Sequence, residues 1–187
     1  MIRLNNCHII LKMLNIKENI YTDLDFLGSA EKYVENIVGV IEHIKLFEDF
    51  ALDEVKSLCF YMDCYRAPAN YTLLEEGADG DYLMLILSGS VRVEKLIFRQ
   101  GIREIAEVHA GDSLGEMSLI DRRPRFASCS TLETTDFAVL THDALNEILI
   151  HHPRLGNKFL LVLLQLMAAR LRDTCDRFLP SVHGAII

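Results

Sequence analysis

The chain has 187 residues, half of them hydrophobic and a quarter charged, which suits a packed domain with an appendage and argues against disorder. A net charge of −8 and a pI near 5.3 argue against the broad basic face of a nucleic-acid binder. Five cysteines (Cys7, Cys59, Cys64, Cys129, Cys175) without a CxxC read as free thiols in a reducing cytoplasm, and the longest apolar stretch, FLLVLLQLMAA at 159–169, is too short to span a bilayer.

In chain order, residues 1–45 read as a helical segment. Tyr33, Ile37, Val40, Ile41 and Ile44 recur at helical spacing, with Ser29 as a partial cap. ALDEVKSLCFYM predicts a second amphipathic helix, with Leu52, Val55, Leu58, Cys59 and Met62 on one side. The texture then changes to short apolar runs broken by Gly77, Gly80 and Ser88-Gly89-Ser90, which predicts strand–turn–strand. IREIAEV alternates and pairs back onto the strand before it, and ASCSTLETTDFAVL supplies two more strands. HDALNEILIHH is a helix stopped before Pro153.

From Arg154 onward one long helix runs to about residue 179. Leu160, Leu164, Met167, Leu171, Thr174 and Phe178 form a two-stranded seam on it, which predicts a homodimer; the plainer reading is a core helix wholly within one chain. Leu161, Leu163 and Leu166 are left for the roll. The fold class is therefore α+β: an antiparallel β-roll of the double-stranded β-helix or jelly-roll type, flanked by N-terminal helices and a long C-terminal helix. The expected division is 1–45 helical, 46–152 roll, and 153–187 dimerisation helix and tail.

The chemistry concentrates in HAGDSLGEMSLIDRRPRFASC, residues 109–129. Gly115 lets the backbone come close to a ligand, and a helix opening at Gly115-Glu116 offers amide donors. Arg125, stiffened by Pro124, can fork onto two phosphate oxygens, a contact of about 1.5–3 kcal/mol. Glu116 is a poor neighbour for phosphate unless it accepts from a sugar hydroxyl. One bridging phosphate beside a free hydroxyl describes a 3′,5′-cyclic nucleotide. The plainer reading is a loop salt bridge between Glu116 and Arg125. Arg122 and Arg123 read as solvated charges, and His151 and His152 as a helix end.

Gly115-Glu116-Met117-Ser118-Leu119, followed after a gap by Pro124-Arg125-Phe126-Ala127, resembles the phosphate-binding cassette of cyclic-nucleotide-binding domains, as in catabolite-activator-type regulators and protein kinase A regulatory subunits. EEGADGDYLMLILSGSVRV and IKLFEDFALDEVKSL resemble the family's earlier strands and helical lead-in. The resemblance implies a cAMP or cGMP ligand, with no cofactor, no metal and no catalysis. Glu116 would hold the ribose 2′-hydroxyl and Arg125 the phosphate, with Gly115, Met117, Ser118, Phe126 and Ala127 completing the site. MAARLRDTC is similar to the stretch where a threonine meets the adenine. That maps to Thr174, with Cys175 where a partner subunit's serine would reach; Arg170 and Leu114 are further candidates.

Phe126 departs from the family's Ser, Thr or Ala, so its ring must point outward or over the ligand. No winged helix-turn-helix follows the long helix, so the output is expected through an effector protein and not through DNA or a membrane. The alternative is a ligand-free roll serving as a dimeric interaction scaffold, with Phe126 filling the phosphate site. A metal-dependent cupin needs a His-x-His cluster, and His109 and His142 are single.

Overall fold

The computed structural model describes residues 20–33 and 50–183, with side chains to residue 176. The strands are β1 (Asp25–Ser29), β2 (Asp63–Ala67), β3 (Thr72–Leu74), β4 (Tyr82–Ser88), β5 (Ser90–Ile97), β6 (Gly101–His109), β7 (Ser113–Leu114), β8 (Ser128–Thr131) and β9 (Thr135–Thr141). The helices are α1 (Leu52–Cys59), α2 (Glu116–Asp121), α3 (His142–His151) and α4 (Pro153–His183). One sheet runs β1-β2-β9-β4-β7 and the other β3-β8-β5-β6. Every ladder is antiparallel. This is the α+β roll with a long C-terminal helix that the residue pattern predicts.

β4 shows why the sequence YLMLILS is continuously apolar. Its odd-numbered Leu83 and Leu85 enter a core shared with the helices, while Met84 and Ile86 enter the interior of the roll. All four are fully buried, each contributing about 1.5–3 kcal/mol. Two cores thus share one strand. The outer one joins α1 (Val55, Leu58, Cys59) to α4 (Leu155, Phe159, Val162, Leu163). Burial pushes the thiols of Cys59, Cys64 and Cys129 up to about 12, so they stay protonated and pack as small apolar groups.

Five sequence expectations change. Residues 25–29 form a strand and not a helix, because they pair with β2 from Asp25↔Arg66 to Ser29↔Asp63. Ser29 does accept an amide hydrogen bond, from Glu31 at 3.3 Å, but it opens only the 3-10 turn Ala30–Tyr33. The roll therefore begins before residue 46. Leu52 lies on the open side of α1, and Leu161 on the open side of α4, instead of on the roll; one step from Val162, the helical period rotates Leu161 away from the core. Ile37, Val40, Ile41, Ile44 and Cys7 lie outside the described residues, as does the side chain of Phe178. Among the described residues no helix is long and apolar enough to cross a membrane.

Candidate functional site

Arg125 is a buried cation, 4 % exposed. The loop carrying it is stitched to the β3–β4 connection: Arg125 N–H donates to Ala78 O at 2.8 Å, and Gly77 N–H to Arg125 O at 2.9 Å. Its Nη1 donates to Tyr82 O at 2.9 Å and Gly115 O at 3.3 Å. The guanidinium carbon sits 4.2 Å from the centre of the Tyr82 ring. Nη2 is buried and, among the described residues, has no hydrogen-bond partner. A buried unsatisfied cationic donor costs about 1–3 kcal/mol or more, so the group stands ready for an anion.

Two glycines make room for it. A Cβ on Gly80 would lie 2.7 Å from Arg125 Nη2 and 2.8 Å from Nε. A Cβ on Gly115 would lie 2.6 Å from Nη1 and 2.8 Å from Tyr82 O. Gly115 also has φ of 80° at the start of α2, a left-handed conformation that disfavours any side chain.

Glu116 does not pair with Arg125. Its carboxylate, 4 % exposed, accepts a very short hydrogen bond from the Ser113 hydroxyl and an ion pair from Arg170 of α4 at 2.8 Å. Arg170 Nη2 also donates to Ser113 O at 2.7 Å. The loop salt bridge expected as the plainer reading is thus replaced by a link from the cassette to the long helix. Beside it a cleft is lined by Arg170 together with Gly111, Asp112, Ser113, Leu166, Ala169 and Asp173.

The family model described as a cyclic nucleotide-binding domain matches residues 66–152. A solved cyclic nucleotide-binding domain from Methylobacillus flagellatus is 53% identical, covering 88% of this chain and 92% of its own, with a TM-score of 0.78. The chain belongs to the cyclic nucleotide-binding domain family. Among other relatives, the CRP-like cAMP-activated global transcriptional regulator of Mycobacterium tuberculosis is 29% identical over 151 residues, covering 79% of this chain and 66% of the regulator. The regulatory domain of Toxoplasma gondii PKA, solved with cAMP, is 27% identical with a TM-score of 0.56, covering 63% of this chain and 45% of that one. The chain thus spans about two thirds or less of these two proteins.

Within this cyclic nucleotide-binding domain the remaining predicted residues fall into two groups. Leu114, Ser118 and Ala127 are buried around the cassette. Met117 is half exposed, at 48 %, and the Phe126 ring, at 55 %, lies outside the roll. Lys95 sits 4.3 Å over that ring, donates to Phe126 O at 2.5 Å and bonds Glu76 at 2.7 Å. Thr174 and Cys175 are exposed on α4. The Thr174 hydroxyl donates to its own helix at Arg170 O, 2.7 Å away, so within one chain it is Arg170, a turn earlier, that reaches the cassette. Arg123 is exposed and pairs with Asp121 at 3.8 Å, and Arg122, also exposed, contacts His142 Nδ1 at 2.7 Å.

Sequence reading missed Ser113, the role of Gly80, and Tyr82. Gly80 reads as an ordinary turn glycine, because nothing local announces a guanidinium arriving from residue 125.

Proposed function

We propose that this chain is a non-enzymatic sensor that binds a cyclic nucleotide, cAMP first, and passes the signal to a protein partner. The observation that carries the reading is the buried Arg125 with its unpartnered Nη2, seated between two glycines in the domain whose relatives include a cAMP-activated regulator. The guanidinium takes the cyclic phosphate in a charge-assisted contact. Glu116 takes the ribose 2′-hydroxyl, with Gly115, Met117, Ser118, Ala127 and the backbone, not the ring, of Phe126 around the phosphate and sugar.

The hydroxyl would meet Glu116 where Arg170 now bonds it, so binding alters the tie between cassette and α4. Ligand and helix position are then coupled, and the nucleotide shifts the population of α4 arrangements. α4 leaves Leu161, Leu164 and Leu171 exposed, which supports a homodimer through this helix, with Thr174 meeting the nucleotide base and the position of Cys175 reaching it from the second copy. The net charge of −8 favours a protein effector over DNA.

Calorimetric titration of the wild-type chain and Arg125→Ala with cAMP and cGMP tests the site. Binding by wild type and its loss in Arg125→Ala is expected; equal heats for the two chains overturn the assignment. The scaffold alternative rests on Phe126 filling the phosphate site, and the ring lies outside the roll against Lys95.

A further inference from the structure

The Arg125 side chain is not steered by its own loop alone. Tyr82 holds it twice, by its carbonyl at 2.9 Å and by its ring face at 4.2 Å. Tyr82 is in turn held from a remote segment. Tyr21, 8 % exposed, enters the interior of the roll and lies edge-on to the rings of Tyr65, Tyr82 and Phe137. Its phenol donates to Leu73 O at 2.7 Å and lies 3.0 Å from the Tyr82 hydroxyl. A phenol has one proton. Tyr21 gives its proton to Leu73, so the Tyr82 O–H must donate to Tyr21. The ring of Tyr82 is therefore fixed at its far end while its face meets the guanidinium. Asp23 fastens the same segment by accepting from Tyr71 at 2.9 Å.

We propose that Tyr82 and Tyr21 are positioning residues for the nucleotide phosphate: Tyr82 cradles the Arg125 guanidinium, and Tyr21 locks Tyr82 from the segment before β1. The proposal rests on the cyclic-nucleotide reading of Arg125. Two consequences follow. The affinity of the site depends on a residue far from the cassette in sequence. Any partner that lifts residues 20–24 off the roll weakens binding without touching the ligand, because apparent affinity falls with the fraction of molecules whose Arg125 is correctly aimed.

The test is calorimetric titration of the full chain with cAMP, with thermal denaturation of each variant without nucleotide. Tyr82→Leu removes ring and hydroxyl and is expected to weaken binding about three- to tenfold, as it does if the aimed orientation falls to between a third and a tenth of the population. Tyr82→Phe keeps the ring face and should bind more tightly than Tyr82→Leu. Tyr21→Phe and Tyr82→Phe each remove one end of the same hydrogen bond. Each is expected to cost about two- to threefold, and the double variant no more than either alone. If Tyr82→Leu fails to fold, the Phe pair decides the matter. Wild-type affinity in Tyr82→Leu, or Phe losses that multiply, overturns the proposal while leaving the cyclic-nucleotide site intact. No heat from wild type with either cyclic nucleotide overturns both.

Discussion

Gly80→Ala should separate ligand binding from folding. The added methyl would meet Arg125 Nη2 at 2.7 Å, Nε at 2.8 Å and Cζ at 3.0 Å, all three in the guanidinium. No backbone atom is among these neighbours, and Gly80 is not among the positive-φ glycines. The clash is relieved by swinging one flexible side-chain end away, so the fold need not move. Stability should stay within about 1 kcal/mol of wild type, since alanine also narrows the unfolded ensemble by about 0.4–1 kcal/mol. The displaced guanidinium forfeits its contact with the phosphate, about 1.5–3 kcal/mol, or about tenfold to 150-fold in affinity. Thermal denaturation without nucleotide reads the first quantity, and calorimetric titration with cAMP the second. Gly115→Ala is the contrast: its methyl meets Tyr82 O at 2.8 Å and its φ is 80°, so it should lose stability and binding together. Wild-type affinity in Gly80→Ala would refute the placement of Arg125. So would a loss of stability as large as that of Gly115→Ala.

Phe126→Ala should bind cAMP within about twofold of wild type, because the ring is spent on Lys95 outside the roll, and should lower stability by about 0.5–1 kcal/mol from the lost cation–π contact; a large loss of affinity in calorimetry would place the ring over the ligand. Leu164→Glu with Leu171→Glu should convert a dimer to a monomer in sedimentation velocity, since both side chains are exposed on α4 and a charge there opposes a helix seam; wild type sedimenting as a monomer removes the seam from the argument. The Lys158 ammonium, and then the Ala51 amide, hold the Glu54 carboxyl below its ordinary value of 4.5. A carboxyl depressed in the fold stabilises fully above its unfolded pKa and loses that contribution as pH falls through the folded one. Both side chains are about a third exposed, so the contribution is about 0.5–1 kcal/mol. Glu54→Gln should therefore melt about 1–4 °C lower at pH 7 and converge with wild type in acid; a constant gap at every pH would sink this account.

The residue order by itself determined the roll, its turns and the cassette. Strand period, Ser88-Gly89-Ser90 and the helical repeat from Arg154 to about residue 179 are local patterns, legible because each is set by neighbours a few residues away. The run Gly115-Glu116 to Arg125 was legible for the same reason, as its chemistry is written in one loop. Only the tertiary structure decided what those side chains touch. It separated Glu116 from Arg125 and joined Glu116 to Arg170, whose other bond reaches Ser113 across 57 residues. It turned 25–29 into a strand by supplying β2 as its partner, and it brought Tyr21 to Tyr82 across 61 residues. A strand at the edge of a sheet, a glycine beneath a guanidinium and a phenol filling a roll are all answers to distant neighbours. Periodicity reports which face of a segment is apolar, but the closure of the chain selects the partner that covers it.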